Sequence, residues 1–346
     1  MIKIAVCIPS YNEKDNIQNI TKLIDKSLDY FDKNYEAIIV NCDNNSPDKT
    51  NVLFNKTITK HKKISIVTNE KGKGKNIYNF FKFFIDNKID YGFTIDSDLK
   101  SFELDWIKKM YKKLNEGNNF VFPLYKRRKE EGNTTNHFVV PLLYSVYGKF
   151  VRQPIGGDFG FDSKFVYTIM KEQFTENIMK YGIDIFLTIT ALANNFKISN
   201  VYLGEKIHSA SYNKMENIFE DVLKGFTESY LHYNKNFSKE KIDYVPFTYK
   251  IEKSEFRDLL ENKYQYCLNE CNLNQDYNEI LNYWASLLKK YKKEINNPSP
   301  DLIKKMKFAF ICRSISFWDE MNIKKEKEWE KELIKFCYLL EEKLWN

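Results

Sequence analysis

Strand-like and helix-like segments alternate through the first 125 residues of the chain. Short apolar runs predict five strands, at residues 2–8, 36–41, 64–68, 91–95 and 119–123. Apolar residues recur at helical spacing near residues 15–28, 75–85 and 104–114. This alternation predicts an α/β fold in which helices cover a mostly parallel sheet. Ligands of such sheets bind beyond the carboxyl ends of the strands.

Polar clusters lie at three of these predicted strand ends. Residues 9–13, 43–46 and 96–98 each follow an apolar run. Asn and Asp favour turns, so a plain turn is the alternative interpretation of residues 43–46. Because the carboxyl ends of parallel strands meet at one edge, the three clusters together favour a binding site there.

Of these clusters, the sequence Asp96-Ser97-Asp98 gives the most specific prediction. Because side chains alternate along a strand, Asp96 and Asp98 point to the same side. Two neighbouring carboxylates repel each other unless a positive group lies between them, and hard oxygen ligands suit Mg²⁺ or Mn²⁺. The motif predicts a divalent metal that carries a diphosphate, with two solvated loop acids as the alternative.

From about Lys214 onward the sequence pattern is helical. Helices are predicted near residues 215–226, 253–271, 278–295, 301–317 and 324–344, with a break at residues 296–300. We therefore predict an α/β domain at residues 1–235 and an appended helical domain at residues 236–346. The helical domain is a candidate element for homodimer formation.

The composition is that of a globular protein, with 43% hydrophobic and 29% charged residues. No apolar run approaches the roughly 18 residues of a transmembrane helix. The first residues begin a strand pattern and lack the features of a secretory signal, which predicts a cytoplasmic protein. A pocket for anionic small molecules explains the net charge of +7, whereas no recognition motif indicates nucleic acid.

Taken together, these motifs resemble those of the nucleotide-diphospho-sugar glycosyltransferases of the GT-A fold. The resemblance rests on residues 8–13, residues 41–50 and Asp96-Ser97-Asp98. Residues 153–159 and 181–184 are similar to the retaining subgroup that contains mannosylglycerate synthase and glucosyl-3-phosphoglycerate synthase. The resemblance covers about residues 1–235. It implies a Rossmann-like mixed sheet of the GT-A type, followed by a helical domain that matches no motif of the family.

The resemblance implies a set of residues that bind the sugar nucleotide. Those expected at the base, ribose, diphosphate and sugar are Pro9, Tyr11, Glu13, Asp43, Asn44, Asp96, Ser97, Gln153, Gly157 and Asp158. Asp43 would accept hydrogen bonds from the base edge or the ribose. Asp158 stands where glucosyl-3-phosphoglycerate synthases commonly have Glu, so its shorter side chain would reach less far towards the sugar.

Residues 71–75 have the sequence Lys-Gly-Lys-Gly-Lys and precede a predicted helix. Glycines let the backbone approach a phosphate, a helix N-terminus favours anions, and lysines add positive charge. The spacing is not that of a Walker A loop. We expect Lys73 and Gly74 to contact the diphosphate or the nucleotide, with a solvated basic turn as the alternative.

His208 follows a predicted strand-to-loop segment at residues 200–207. In the family that the chain resembles, a His after the last strand completes the metal site with the Asp-x-Asp motif. The resemblance therefore implies Asp98 and His208 as ligands of Mg²⁺ or Mn²⁺, with Asp96 either coordinating the metal or contacting the ribose. Such a metal neutralises the charge on the departing diphosphate. Without that context, a lone His is more often structural.

Asp184 stands at the start of a predicted helix, where an N-cap is the structural alternative. The resemblance places an acidic residue here, beside the donor sugar and the acceptor hydroxyl. Retaining transfer in this subgroup is drawn as a front-face reaction in which the leaving phosphate takes the acceptor proton. Asp184 and Asp98 are then the expected catalytic residues, with Asp184 orienting the acceptor and stabilising oxocarbenium charge.

Residues 126–136 and Arg152 form the candidate acceptor site. Backbone amides and Thr hydroxyls hold a carboxylate or phosphate, and arginines add bidentate recognition. The acceptor residues that we expect are Arg128, Thr134, Thr135, Asn136 and Arg152. Asn133 stands where some phosphoglycerate-using relatives have Arg, which weakens the case for a phosphorylated acceptor. A solvated basic loop is the alternative.

The resemblance thus implies a metal-dependent retaining glycosyltransferase of compatible-solute synthesis. It would move glucose or mannose from a GDP- or UDP-hexose to D-glycerate or 3-phosphoglycerate, a small anionic acceptor. The product would be a glucosylglycerate or mannosylglycerate, or its phosphorylated precursor.

Three alternative functions stay open. An inverting family-2-like transferase for a surface polysaccharide or glycolipid often has a Glu-Asp pair before its catalytic helix, whereas Gly182-Ile183-Asp184 lacks the preceding acid. A nucleotidyltransferase would have a Gly-rich, basic first loop, which residues 9–13 lack. A non-catalytic sugar-nucleotide-binding scaffold would bind the donor without turnover.

Overall fold

The computed structural model of the protein describes residues 1–31, 33–128, 130–208, 215–233, 240–242, 249–250, 260–324 and 326–345. Its strands are β1 (Ile2–Ser10), β2 (Tyr35–Asp43), β3 (Lys62–Val67), β4 (Tyr91–Thr94), β5 (Phe120–Arg128), β6 (Gly160–Asp162), β7 (Ile198–Glu205) and β8 (Tyr249–Lys250). Its α-helices are α1 (Ile17–Ser27), α2 (Thr50–Lys56), α3 (Lys73–Asp86), α4 (Trp106–Asn115), α5 (Val140–Tyr147), α6 (Ser163–Ile169), α7 (Ile183–Ala193), α8 (Met215–Tyr233), α9 (Glu261–Cys271), α10 (Tyr277–Lys293), α11 (Pro300–Ile323) and α12 (Glu326–Trp345). A 3₁₀ helix, Leu28–Tyr30, and a π-helical segment, Thr135–Val139, are also present.

The strands form one mixed sheet in the order β3-β2-β1-β4-β6-β5-β7, and β8 pairs with the end of β5. Strand β1 pairs in parallel with β2 and β4, and β2 pairs in parallel with β3. Strand β6 runs antiparallel to both β4 and β5. The α/β class and the helical C-terminal region predicted from the sequence are therefore confirmed.

The predicted elements agree with the observed ones to within seven residues at each end. The sequence pattern did not indicate α2, α5, α6, β6 or β8. Of the helix predicted at residues 253–271, residues 253–259 lie outside the described residues and the remainder forms α9. The predicted break at residues 296–300 is confirmed. Ser299 caps α11 by accepting a hydrogen bond from the Leu302 backbone amide at 3.2 Å, and Pro300 occupies the first helical position, where its missing N–H costs nothing.

Strand β1 lies in the interior of the sheet, and residues 4–10 are all buried. This is the continuous apolar pattern expected of a parallel strand that is covered on both faces. On α3, Ile77, Phe80, Phe81 and Phe84 are buried at helical spacing, as predicted. Gly92 makes room for this aromatic layer, because a Cβ atom at Gly92 would lie 2.4 Å from the Phe161 ring.

The chain packs into two compact units. The first consists of residues 1–125, 155–211 and 221–229, and the second of residues 126–154, 212–220 and 230–346. The second unit therefore contains residues 126–154 in addition to the C-terminal helices. Within the described residues, no helix combines the length and the apolar character needed to cross a bilayer.

An ion pair between Arg152 and Glu330 is buried in the second unit. Arg152 is 2% exposed, and its Nε and Nη2 groups donate to the Glu330 carboxylate at 2.7 to 3.0 Å. Its Nη1 group donates to Oδ1 of Asn136 at 2.9 Å. This pair ties α12 to the segment that precedes α5.

Replacement of Glu330 by Gln should destabilise the second unit, because Arg152 would keep its charge in a buried place without a carboxylate partner. Removing one partner of a buried ion pair typically lowers the free energy of unfolding by about 3–5 kcal/mol. Urea unfolding of Glu330→Gln measures this loss. The matched control is Glu342→Gln, an exposed position on the same helix, for which we expect a change within about 0.5 kcal/mol. Equal losses in the two variants would contradict this account of the ion pair.

Candidate functional site

The Asp-x-Asp motif lies in the loop after β4, at the predicted edge of the sheet. The Asn16 side-chain amide, beside the start of α1, donates to the carbonyl oxygens of Ser97 and Leu99 at 2.7 and 2.8 Å. The Ser97 hydroxyl donates to the Pro9 carbonyl oxygen at 2.8 Å, at the end of β1. These contacts fix the loop backbone and occupy the Ser97 side chain.

The Asp96 carboxylate lies between two ammonium groups. Lys73 Nζ, at the start of α3, is 3.0 Å from Oδ1, and Lys206 Nζ, just after β7, is 2.9 Å from Oδ2. Burial opposes ionisation of Asp96, but the charges of Lys206 and Lys73 outweigh it and hold the pKa of Asp96 below its ordinary value. Asp96 is therefore an ionised anchor that holds both lysines in the site.

Asp158 closes the cluster on its buried side. Its carboxylate accepts hydrogen bonds from Lys206 Nζ at 2.6 Å, from the Tyr125 hydroxyl at 2.5 Å and from the Asp96 backbone amide at 2.8 Å. Burial raises the pKa of Asp158 despite the Lys206 charge. The side chain is completely buried and positions Lys206 and the Asp-x-Asp loop. A contact between Asp158 and the sugar stays a prediction.

Gly157 is required by the same cluster. Its φ of +86° lies in the left-handed region, and a Cβ atom there would lie 2.3 Å from Asp96 Oδ2 and 2.9 Å from Lys73 Nζ. A side chain at residue 157 would thus break the contact between Asp96 and Lys73. Gly157 therefore shapes the site by leaving room for the contact between Asp96 and Lys73.

Asp184, in the first turn of α7, also contacts Lys73, with 3.2 Å between Oδ2 and Nζ. Its other oxygen, Oδ1, is buried and accepts no hydrogen bond from the described residues. Burial raises the pKa of Asp184, and the neighbouring Lys73 charge only partly opposes this rise. The structure thus brings Asp184 into the Asp-x-Asp cluster.

Asp98 and His208 lie next to each other, with 3.8 Å between Asp98 Oδ2 and His208 Nδ1. Both side chains are about a quarter exposed, so they face accessible space. A carboxylate oxygen and an imidazole nitrogen together fit Mn²⁺ or Mg²⁺. Within the described residues, no group of three or more acidic, His or Cys side chains is arranged around one point.

Asp96 does not fit the role of a metal ligand in this arrangement, because each of its carboxylate oxygens contacts a lysine. The predicted role of Asp96, either at the metal or at the ribose, stays a prediction. Asp98 and His208 are the protein groups that would hold a cation, and a bound diphosphate would supply further oxygen ligands.

The cluster carries an excess of carboxyl groups. Four aspartates share it with two lysines; these are Asp96, Asp98, Asp158, Asp184, Lys73 and Lys206. Burial and the charge of Asp96 raise the pKa of Asp98. A divalent cation beside Asp98 would relieve this crowding of negative charge.

The polar side chains at the end of β2 bond to other protein groups, whereas the sequence analysis expected them to contact the nucleotide. Asp43 is completely buried, and its carboxylate accepts hydrogen bonds from the Ser46 amide at 2.7 Å and from the Ser46 and Ser10 hydroxyls at 2.8 and 3.0 Å. Asn44 exchanges amide hydrogen bonds with Asn76 of α3 at 2.8 and 2.9 Å. Both side chains hold the loop, and their contacts with the donor stay predictions.

The backbone of the loop before α3 also packs against another segment of the protein. The Gly74 amide donates to the Lys180 carbonyl oxygen at 3.0 Å, and a Cβ atom at Gly74 would lie 2.1 Å from the Ile178 carbonyl oxygen. Gly74 therefore permits close backbone packing, and its contact with the diphosphate or the nucleotide stays a prediction. Lys73 does reach the site. Tyr11 is exposed with Lys71 Nζ 5.2 Å from its ring centre, and Glu13 is half-buried at the start of α1.

The predicted acceptor residues lie in the second unit. Arg152 and Asn136 are buried and bonded to each other, and Arg152 is also bonded to Glu330. Their role as acceptor ligands stays a prediction. Arg128 and Thr135 are half-buried, whereas Thr134 and Gln153 are buried. Arg128 and the two threonines remain candidate acceptor contacts.

Lys206, Asn16 and Tyr125 are site residues that the sequence reasoning missed. A signal for Lys206 exists in the sequence, because it stands two residues before His208 after a strand. Alternation along an extended segment places residues two apart on the same side. Asn16 and Tyr125 carry no comparable signal, since their partners are distant in the sequence.

Comparison with known proteins finds a family model that matches just under half of the chain. Residues 5–170 match the family model of Glycosyl transferase family 2. A glycosyltransferase of Synechocystis sp., described as uncharacterised, is 28% identical over 180 residues, which are 49% of this chain and 53% of the relative. The chain thus spans about half the length of the curated relative that it matches. The matched residues are thus similar to a glycosyltransferase domain, in agreement with the enzyme class that the sequence predicted.

Solved structures with a similar fold include glucosyl-3-phosphoglycerate synthase from Mycobacterium tuberculosis. Its complex with Mn²⁺, UDP-glucose and phosphoglyceric acid has a TM-score of 0.55 at 21% identity, over 66% of this chain and 79% of that chain. Its complex with Mg²⁺ and UDP has a TM-score of 0.53 at 20% identity, over 66% and 79% of the two chains. The predicted GT-A fold is therefore confirmed.

Replacement of Asp184 by Asn should change how stability depends on pH. Because burial raises the pKa of Asp184, the folded state keeps a proton that the unfolded chain releases above its ordinary pKa of 3.8. This carboxyl therefore lowers the free energy of unfolding as pH rises above that value. The difference in unfolding free energy, Asp184→Asn minus wild type, should grow between about pH 4 and about pH 7 in urea titrations. A difference that shrinks over this range would contradict the assigned direction.

Proposed function

We propose that this chain, whose residues 5–170 match the glycosyltransferase family 2 model, is a metal-dependent retaining transferase. It moves glucose or mannose from a nucleoside-diphosphate sugar to D-glycerate or 3-phosphoglycerate. The observation that carries the proposal is the pair Asp98 and His208, which lies beside two lysines at the carboxyl edge of the sheet. A metal-bound diphosphate matches this combination of one carboxylate, one imidazole and two cations.

The lysines support binding of the donor diphosphate. Lys73 and Lys206 are held by Asp96 and are part of a cluster in which the carboxyl groups outnumber the cations. A metal ion on Asp98 and His208 would act as a Lewis acid on the leaving diphosphate. Lys73 and Lys206 would add fixed positive charge near the same oxygens, where charge develops as the sugar departs.

Asp184 supports the assignment of sugar transfer. One of its oxygens is fixed by Lys73, and the other has no partner among the described residues. A carboxylate held in this way can orient an acceptor hydroxyl and stabilise positive charge on the sugar ring. In the proposed step the anomeric carbon–phosphate oxygen bond breaks and the bond to the acceptor oxygen forms on the same face. The acceptor proton passes to the departing phosphate oxygen.

UDP-glucose and phosphoglycerate are the ligands of the solved structural neighbours, and they are the first donor and acceptor that we propose. GDP-hexoses as donors, a mannose product, a homodimer and a cytoplasmic location remain further parts of the proposal. The inverting family-2-like reaction is the alternative. It requires a base that accepts the acceptor proton, and the unpartnered Oδ1 atom of Asp184 is the group that would serve.

An NMR-monitored transfer assay tests the substrates and the stereochemistry together. UDP-glucose, GDP-glucose and GDP-mannose are crossed with D-glycerate and 3-phosphoglycerate in the presence of Mg²⁺ or Mn²⁺. We expect a new α-linked anomeric signal with one donor and one acceptor. A β-linked product would contradict retention, and release of free hexose with every acceptor would contradict the acceptor class.

Loss of either proposed metal ligand should abolish metal-dependent turnover. Loss of a group that only supports a ligand typically costs about 10–100-fold, so Asp98→Ala and His208→Ala should each lower kcat/KM by at least about 100-fold. The matched controls are Asp86→Ala and His232→Ala, which replace exposed side chains. Wild-type turnover in His208→Ala, with unchanged dependence on Mn²⁺ concentration, would remove His208 from the site.

Asp184→Ala should separate donor binding from transfer. Loss of one group that stabilises transition-state charge costs about 10²–10³-fold in kcat, whereas binding of UDP, measured by calorimetry, should stay within about threefold of wild type. A near-normal kcat would contradict the role proposed for Asp184.

A further inference from the structure

Residues 175–182, between α6 and α7, support the start of α3, where Lys73 stands. The amides of Gly74 and Lys75 donate to carbonyl oxygens of this segment at 3.0 and 2.9 Å. Just before Lys73, a Cβ atom at Gly72 would lie 2.2 Å from a backbone oxygen of the same segment. The backbone therefore contacts the segment on both sides of Lys73, and the position of Lys73 depends on these contacts.

The same segment leads into α7 and Asp184. Gly182 is the last residue before α7, and Asp184 lies in the first turn of that helix. The Asp184 carboxylate is 3.2 Å from Lys73 Nζ. A displacement of residues 175–182 would therefore move both partners of this contact.

The side chain of Glu228, on α8, fixes the start of this segment. Its carboxylate accepts hydrogen bonds from the Thr175 hydroxyl and from the Asn177 side-chain amide, the latter at 2.6 Å. The Thr175 hydroxyl in turn accepts a hydrogen bond from the Ile178 amide at 3.3 Å. Glu228 is half-buried, and hydrogen bonds to an ionised carboxylate are roughly twice as strong as those between neutral groups. Each carboxylate oxygen thus holds one side chain of the segment.

Gly225 brings the backbone of α8 against the other end of the segment. A Cβ atom at Gly225 would lie 2.6 Å from the Gly182 Cα atom and 2.9 Å from the Gly182 carbonyl oxygen. Residues three apart are neighbours on one helix face, so Gly225 and Glu228 lie on the same face of α8. This face contacts both ends of residues 175–182.

We propose that Glu228 is a positioning residue of the transferase site, through which α8 sets the placement of Lys73 and Asp184. The inference rests on the proposed function. Glu228 acts through residues 175–182, to which its carboxylate is bonded. A misplacement of about 1 Å in an active site can lower the rate by about 10²-fold. Loss of Glu228 would therefore slow sugar transfer although no group of the reacting centre is removed.

Calorimetric titration of the full chain with UDP in the presence of Mn²⁺, together with kcat in the transfer assay, tests this role. Glu228→Ala removes both hydrogen bonds to the segment. We expect a UDP affinity at least about fivefold lower, because Lys73 is displaced, and a kcat about 10–10²-fold lower, because Asp184 is displaced too. A loss confined to UDP affinity assigns the role to Lys73 alone, and a loss confined to kcat assigns it to Asp184 alone.

Glu228→Gln keeps the hydrogen bonds and removes the charge. The Gln oxygen can accept from Asn177, and the Gln amide group can donate to the Thr175 hydroxyl, which accepts as well as donates hydrogen bonds. Both contacts to the segment are kept, so UDP affinity and kcat should stay within about threefold of wild type. Values as low as those of Glu228→Ala would overturn the role of these two hydrogen bonds.

The matched control is Glu216→Ala, which removes another carboxylate from α8. Glu216 pairs with Lys263 at 2.9 Å, and its loss should leave UDP affinity and kcat within about threefold of wild type. Thermal midpoints establish that each variant is folded. Equal losses in Glu216→Ala and Glu228→Ala would overturn the proposal, because any carboxylate of α8 would then have the same effect.

Gly225→Ala is the second test, and it decides if Glu228→Ala does not fold. Alanine favours a helix more than glycine does, but its Cβ atom would press α8 away from Gly182. We expect the same losses in UDP affinity and kcat as in Glu228→Ala. Wild-type values in both variants would overturn the positioning role while the transferase activity stands. No binding of UDP by the wild-type chain would instead overturn the proposed function, and this inference with it, so the two failures are distinguishable.

Discussion

The carboxylate of Asp96 fixes the candidate site, because it holds Lys73 and Lys206 at about 3 Å on its two sides. These three residues come from the start of α3, the end of β4 and the end of β7. One anion thus joins three elements of the first unit. Gly157 leaves the space for this contact, and Asp158 with Tyr125 closes it from the buried side. Asp98, His208 and Asp184 lie at the outer edge of the site.

The two aspartates of the Asp-x-Asp motif have different roles in this arrangement. Asp96 is ionised and holds the lysines, whereas Asp98 lies near His208 and has a pKa raised by burial and by the charge of Asp96. The site is therefore crowded with negative charge until a cation arrives. A divalent ion would neutralise the outer carboxylates, and a bound diphosphate would pair with the two lysines. Together they would balance the charges of the site.

The sequence predicted the elements well, because strand and helix patterns are local. The three polar clusters also lie where parallel strands place them. What the sequence did not reveal is which protein groups bond to the candidate site residues. Arg152 has the chemistry of an anion ligand, but its carboxylate partner Glu330 lies 178 positions further along the chain. Asp43 and Asn44 likewise look like ligand groups until Ser46 and Asn76 are found bonded to them. Lys206 was missed although it stands two residues before His208, because its carboxylate partners Asp96 and Asp158 are distant in the sequence.

The most direct test of the account is whether nucleotide binding depends on the cation. Calorimetric titration of the wild-type chain with UDP, with and without Mn²⁺, measures this without any assumption about the acceptor. The account predicts affinity at least about tenfold higher with Mn²⁺, which is about 1.4 kcal/mol of binding free energy. Equal affinity in the two titrations, or no binding in either, would contradict the assignment of Asp98, His208 and the two lysines to a metal-bound diphosphate.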